Sequence, residues 1–360
     1  MRIPVVVNGL GCFETGAQIV FSEIVMSAPK NVKVVAFCTS ETAKKLVGGR
    51  WGRLSPNILV VGLSHSWFGR LLRVPWEFFI GLLAASRVAE VVNLSHYGLC
   101  LGGDYVLYIH SPVLMATDAA AGWGDGKPNY IKQSMLRTCL RRASRVLLQT
   151  EGMARQCEQF CHQAGIKNWN QTVIFPRVDV PVALEGRRDF AFQLFYPTSR
   201  FQHKRIELAE DAARLCHKTD PELGLVITTE PAAGRSAQEP GLLQIGRISR
   251  EQVQIRYAGS DALLFTSERE TLGLPLLEAL EYGLPVIAPK LPYATELLGD
   301  AGCYFEGEEP DAVARAIREC RLNHSEWRRK SRERARYIQI RGRTWADHWQ
   351  VFLEKSSCEF

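Results

Sequence analysis

A chain of 360 residues with 46% hydrophobic residues is long for one domain and can bury a core in each of two. Its net charge of +6 is unevenly placed: residues 1–183 carry 19 Lys and Arg against 11 Asp and Glu, the remainder 25 against 27. The basic half lacks a nucleic-acid motif, and the chain lacks a run of about 18 uninterrupted apolar residues, so nucleic acid and a spanning helix are set aside in favour of an anionic lipid surface or a phosphate-bearing acceptor.

Residues 3–8, Ile-Pro-Val-Val-Val-Asn, read as a central parallel strand. Gly9, Gly11 and Gly16 follow, then a helical run from Ala17 to Ser27. This spacing is not the dinucleotide fingerprint; such a loop is either a tight turn or backbone brought close to a phosphate or acceptor. Further strands are expected at 32–37 and 57–61. Residues 66–83 mix Trp67, Phe68, Trp76, Phe78 and Phe79 with Arg70 and Arg73. That composition fits a helix lying in a membrane interface as well as it fits a buried helix with arginines at its rim. Strand-like runs at 90–94 and 105–109 come next. His110 ends the second of these, followed by Ser111-Pro112. A lone histidine is usually structural, but the C-terminal end of a parallel strand is where open α/β sheets bind ligands. Residues 115–130, rich in Ala, Gly and Asp, read as a mobile loop on the acceptor side. A basic helix over 131–145 and a strand at 146–150 come next, and a linker is expected at about 180–190.

The second domain opens on a strand ending near Tyr196 and a helix starting near Arg205. Arg200 and Lys204 lie in the connection, where basic side chains either reach a diphosphate or form surface salt bridges. Strands at 224–228 and 243–249 come after it. The stretch from Ala262 to Pro289 then reads as strand, loop, helix, strand. Gly273 lies in the loop, Pro275 fits the first helical position, Gly283 fits the position just past the helix end, and 286–288 is the next parallel strand. Thr271, Leu272, Gly273 and Leu274 therefore sit at a helix N-terminus on the C-terminal edge of a sheet, where free N–H groups and the helix dipole favour a phosphate. Glu270 and Glu278 bracket the turn, eight positions apart. Carboxylates accept from paired hydroxyls, which sugars and ribose carry. Helices at 308–318, 328–343 and 344–355 complete the chain, the last with an apolar stripe of Trp345, Trp349, Val351 and Phe352. The ten cysteines show neither a zinc signature nor a disulfide framework and fit a reducing cytosol. The first residues form a strand rather than a charged leader, and the sequons at Asn93, Asn170 and Asn323 are of a kind common by chance.

The segment Ser267-Glu-Arg-Glu-Thr-Leu-Gly-Leu-Pro-Leu-Leu-Glu-Ala-Leu-Glu-Tyr-Gly-Leu-Pro-Val-Ile-Ala-Pro289, succeeded by Glu296 in Ala-Thr-Glu-Leu-Leu-Gly-Asp-Ala-Gly, resembles the donor site of retaining glycosyltransferases of the GT-B fold, family 4. The match is good over about residues 170–320 and holds in outline before that. The resemblance implies two facing Rossmann-like α/β domains with parallel sheets and an interdomain cleft: 1–183 on the acceptor side, 184–341 binding the nucleotide sugar, and 342–360 crossing back to the first domain. It puts Glu270 on the transferred sugar and Glu278 on the ribose. Lys204 and Arg200 fall on the diphosphate, although the spacing from Arg200 to Lys204 is shorter than the family's. Arg247 and Ile248 fall on the base through their backbone, His110 on the donor sugar, and Gly16 on phosphate or acceptor, with Ala17 where the family has a second glycine.

The resemblance further implies a sugar transferase using a nucleotide-sugar donor, with retention and without a metal or other cofactor, since Lys204, Arg200 and the helix N-terminus neutralise the leaving diphosphate. The acceptor it suggests is a glycan on a polyprenyl diphosphate at the cytosolic face of the inner membrane. Tyr196-Pro-Thr-Ser-Arg-Phe-Gln-His-Lys204 resembles O-antigen-type mannosyl or rhamnosyl transferases. The alternatives are a transferase with a soluble acceptor and a non-catalytic nucleotide-sugar-binding subunit. The intact glutamate pair speaks against the second. A dehydrogenase is disfavoured, because neither half carries the dinucleotide glycine spacing.

Overall fold

The computed structural model describes residues 3–12, 15–64, 67–95, 105–110, 115, 130–167, 169–180, 185–231, 234 and 236–354, with side chains left undescribed at 15, 67–74 and 130–132. The chain divides into two compact units, Met1–Pro176 with Arg343–Phe360, and Arg177–Gly342. The division falls ahead of the boundary expected at 183.

In the first unit the strands are β1 (Val5–Asn8), β2 (Val34–Thr39), β3 (Trp51–Ser55), β4 (Ile58–Leu63), β5 (Glu90–Asn93), β6 (Tyr105–Ile109), β7 (Arg145–Leu148) and β8 (Gln171–Val173). They form one sheet in the order β3-β4-β2-β1-β5-β6-β7-β8. Every pairing is parallel except β3 with β4. Buried valines at 5, 6 and 7 and an unbroken buried run in β6 reflect helices covering both faces, which a parallel sheet requires. The covering helices are α1 (Thr15–Met26), α2 (Ser40–Val47), α3 (Trp67–Ala85), α4 (Tyr130–Arg142) and α5 (Glu151–Gln163). The expected strand at 146–150 stops at Leu148 because Thr150 leaves the sheet to cap α5, its hydroxyl accepting from Met153 N at 3.2 Å. Between α5 and the second unit the chain adds only the short edge strand β8. The aromatic segment forms a single helix over Trp67–Ala85 that continues past Pro75. The expected loop at 115–130 lies outside the described residues, apart from Met115 and the backbone at 130.

In the second unit β9 (Phe192–Tyr196), β10 (Leu223–Ile227), β11 (Gln238–Glu239), β12 (Leu242–Gln244), β13 (Ala262–Leu264), β14 (Val286–Pro289) and β15 (Gly302–Phe305) pair in the order β11-β12-β10-β9-β13-β14-β15. Only β11 with β12 is antiparallel. Its helices are α6 (Ile206–Thr219), α7 (Arg250–Ala258), α8 (Leu274–Glu281), α9 (Pro292–Leu298), α10 (Pro310–Leu322) and α11 (His324–Arg341). Strand order reverses at β9: β10 lies on one side of it and β13 on the other. The crevice at the carboxyl ends of β9 and β13 is the topological switch point, the usual ligand position in open α/β sheets.

The last helix, α12 (Trp345–Leu353), belongs to the first unit. Thr344 and Asp347 cap its start reciprocally. Trp349 is fully buried and its indole N–H donates to the Ile24 carbonyl of α1 at 2.8 Å. Arg145 of β7 donates to the Val351 carbonyl at 2.9 Å and so helps close the last carbonyls of α12.

Candidate functional site

The switch point of the second unit is built by two loops stitched to each other. After β9 the chain makes a 3₁₀ turn over Gln202–Lys204. Its carbonyls point at the loop after β13. The Lys204 carbonyl accepts from the Tyr196 hydroxyl at 2.8 Å and from the Thr266 hydroxyl at 2.9 Å, and the His203 carbonyl accepts from Glu268 N at 2.8 Å. Arg205 leaves the turn in the left-handed region, with φ of 49°, before α6 begins. That conformation is uncommon for a side chain of this size. It is held by ion pairs from the Arg205 guanidinium to Glu268 and, at 3.2 Å, to Glu308.

The stitching sets Lys204 against Glu270. The ammonium donates to the carboxylate, and both side chains are largely buried. The ammonium also lies 5.8 Å from the centroid of the Phe265 ring. Tyr293 of α9 completes the wall, its hydroxyl donating to the Ser267 carbonyl. Burial, and then the nearby Glu270 charge, hold the Tyr293 phenol well above its usual range, so it stays protonated and remains a donor. The sequence thus brings together a cation and a carboxylate from two loops and a phenol from the start of α9.

Beside them α8 begins. Gly273 occupies the position before the helix with φ of 65°, and Leu276 N donates to its carbonyl at 2.8 Å. A Cβ there would lie 3.0 Å from the Leu276 side chain, so both the conformation and the space call for glycine. Leu274 is the first helical residue and Pro275 the second, one position later than expected. Thr271 is half-buried and Leu272 is buried beneath the turn. Gly283, with φ of 63°, ends the helix as expected. Glu278 stands on α8, half-exposed, while the buried Tyr257 of α7 donates its hydroxyl to the Pro275 carbonyl in the first turn of α8 at 3.3 Å.

Other expected residues stand on further turns of the second unit and in the first unit. Arg200 turns to the Glu230 carbonyl at 2.8 Å and stands 3.8 Å from Glu207, while Lys204 takes Glu270. Arg247 is exposed and Ile248 half-buried in the turn after β12. That turn is made by Gly246 and ends at Ser249, which caps α7. In the first unit, Gly16 is exposed near the start of α1, and a Cβ built on it meets nothing within 4 Å. Gly9 and Gly11 are needed for packing, since their Cβ positions would strike Phe21 at 2.2 Å and Ser95 at 2.8 Å. His110 is buried at the end of β6, stacked on Tyr108, with Nε2 3.9 Å from the Cys12 thiol. Burial lowers its pKa to about 4, so the ring is neutral near pH 7. Sequence reasoning missed Arg205, Tyr257 and Tyr293. Of these, Tyr293 carried a signal, standing immediately before the Ala294-Thr-Glu296 stretch. Among the described residues no group of three or more His, Cys, Asp or Glu is placed to hold a metal ion, and no helix is long and apolar enough to cross a membrane.

Residues 189–338 match the family model described as glycosyl transferases group 1. The chain is 41% identical over 78 residues to the serotype-specific mannosyltransferase WbdA of Escherichia coli, covering 22% of this chain and 10% of that protein. It is 30% identical over 94 residues to the O-antigen chain mannosyltransferase B of Escherichia coli, covering 26% of this chain and 24% of that one. These matches therefore span about a tenth to a quarter of the curated relatives. The Anabaena protein HepE, solved in complex with UDP-glucose, superposes with a TM-score of 0.71 over 98% of both chains at 15% identity. The fold is GT-B, and the match to the group 1 glycosyltransferase model falls within the second unit.

Proposed function

We propose that this GT-B protein is a glycosyltransferase that moves a sugar, mannose or rhamnose, from a nucleotide-sugar donor to a glycan acceptor with retention at the anomeric carbon. The observation that carries this reading is the juxtaposition of Lys204, Glu270 and the α8 N-terminus at one switch point, with Glu278 on the same helix. An ammonium and free helix N–H groups suit a diphosphate leaving group. A carboxylate beside them suits the sugar, where positive charge grows as the glycosidic bond breaks. Glu278 takes the ribose hydroxyls, and the backbone at Arg247 and Ile248 takes the base. Gly16 and His110, beyond β1 and β6, are assigned to phosphate and donor sugar. Arg200 is assigned to holding the Glu230 loop, which leaves Lys204 as the phosphate cation, and no metal is required. The mannosyl and O-antigen relatives support a surface-glycan acceptor, with a polyprenyl diphosphate carrier as the lipid-linked form.

The test is thermal-shift screening against nucleotides and nucleotide sugars. A ligand at 100 times its Kd stabilises the protein by about 2.7 kcal/mol. Lys204→Ala is expected to weaken nucleoside diphosphate binding by about 1.5–3 kcal/mol while leaving nucleoside binding nearly unchanged. Equal losses in calorimetry would remove Lys204 from the phosphate site, and a panel without any stabilising nucleotide would sink the reading.

A membrane-surface acceptor has separate support. Phe78, Phe79 and Leu82 of α3 are exposed, in the half of the chain that carries the positive charge. Liposome flotation is expected to rise with anionic lipid and fall with salt. Binding indifferent to both would favour the soluble-acceptor alternative.

A further inference from the structure

Beyond β1, the first sheet is fully covered on one face only. In β2 and β4 the side chains of Val34, Ala36, Ile58 and Val60 are buried, and α2 packs over that side. A Cβ on Gly62 would lie 2.5 Å from Ala43 of α2, and one on Gly52 would lie 3.2 Å from Val47. The residues that alternate with these point the other way. There Val35, Leu59, Val61 and Leu63 are only half-buried, whereas parallel sheets ordinarily have both faces covered. Register and ring contacts carry this open face from the sheet edge to α3. Trp51 of β3 pairs with Val61 of β4, and Val61 with Phe37 of β2. Phe37 meets Trp76 of α3 with ring centroids 5.5 Å apart, and Trp76 meets Phe79 edge-on at 5.8 Å. The two ends of the row are its exposed members, Trp51 at 77% and Phe79 at 45%. Phe78 and Leu82 continue it along the outer side of α3.

The charge around this row is almost all of one sign. Residues 28–63 hold Lys30, Lys33, Lys44, Lys45, Arg50 and Arg53 against Glu41 alone, and all six cations are exposed. Arg53 shares the strand face of Trp51 and pairs with Leu59. We infer that this face is the docking surface of the first unit for an anionic bilayer, with Trp51 and the outer side of α3 set into the headgroup boundary and Arg50 and Arg53 on lipid phosphates. This rests on the membrane-surface reading of the acceptor and extends it from one helix to the sheet edge. An indole at the end of an apolar row suits that boundary, where its ring meets hydrocarbon and its N–H meets water. Anionic headgroups match the charge of the rim, at about 5-fold in affinity per cation. A second copy of this chain would instead set the same cations against each other.

The experiment is flotation of the full chain with vesicles of phosphatidylglycerol and phosphatidylethanolamine, and with vesicles of phosphatidylcholine alone. The proteins are the wild type, Trp51→Ala, Arg53→Gln and, as a control, Arg329→Gln on the exposed side of α11 in the second unit. Trp51→Ala is expected to weaken partitioning into the anionic vesicles about 10-fold, the gain from taking roughly 60 Å² of apolar surface out of water. Arg53→Gln is expected to weaken it about 5-fold and to change nothing on phosphatidylcholine. Arg329→Gln removes the same charge from the second unit and is expected to leave flotation unchanged. Trp51 and Arg53 are exposed, so the fold should survive both changes, which matching denaturation midpoints check. Unchanged flotation of either variant, or an equal loss in Arg329→Gln, would overturn the assignment. So would a dimer that forms without lipid and is lost in Trp51→Ala, because a second copy would then cover the face. A wild type that binds no anionic vesicle defeats the membrane-surface reading and this inference with it. A wild type that floats no better than Trp51→Ala or Arg53→Gln defeats this inference alone.

Discussion

Glu270→Ala is expected to lower kcat on the order of 10²-fold, as loss of a preorganised electrostatic group does. The carboxylate stands where positive charge develops on the sugar, so it gains more in the transition state than in the ground state. Affinity for the bare nucleoside diphosphate should hold or tighten. That ligand lacks the sugar, and losing the carboxylate releases the Lys204 ammonium, which now donates to it. Glu278→Ala should behave in the opposite way. Ribose is bound alike in substrate and transition state, so its loss raises donor KM and weakens the diphosphate while sparing kcat. Diphosphate affinity together with kinetics on both variants separates them. A Glu270→Ala protein that loses diphosphate affinity, beside a Glu278→Ala protein that keeps it, would reverse the assignment.

Trp349→Ala is expected to destabilise the first unit by about 3–5 kcal/mol. Trp349 is fully buried, packs at 5.7 Å against the Phe352 ring, and pairs its indole N–H with the Ile24 carbonyl. Truncation removes a fully buried indole from α12, opens a cavity against α1 and takes one donor from that carbonyl, leaving it the Ser27 hydroxyl at 3.1 Å. Chemical denaturation, with amide exchange monitored in α1, measures the loss. A shift below about 1 kcal/mol would mean that α12 contributes little to that unit. Phe352→Leu, which keeps most of the apolar volume, should cost far less.

The strand-loop-helix-strand around Glu270 and Glu278 was legible because each of its signals is local. An apolar run makes β13, glycines stand where φ is positive at 273 and 283, and a proline sits in the first helical turn. The Lys204 to Glu270 pair was legible only as two residues with separate roles. It joins positions 66 apart in sequence, and no periodicity reports a contact of that range. Arg200 shows the reverse case. Its position beside Lys204 suggested a shared phosphate, but the 3₁₀ turn between them separates their directions, and Arg200 finds the Glu230 carbonyl instead. Tyr257 was invisible for a simpler reason: a buried tyrosine on a helix looks like core, and only the fold sets its hydroxyl against the Pro275 carbonyl in the first turn of α8.

The placement of α12 has a bearing on how the chain is made. The indole that closes on Ile24 comes 325 positions after it. At about 5–20 residues per second on the ribosome, roughly 15–65 s separate the two ends of that contact. Residues 177–342 are complete within this interval, while the first unit still lacks a helix. The domain begun second is therefore the one able to finish first. Until then the face of α1 that receives Trp349 stays uncovered, and a nascent-chain chaperone has its longest opportunity there.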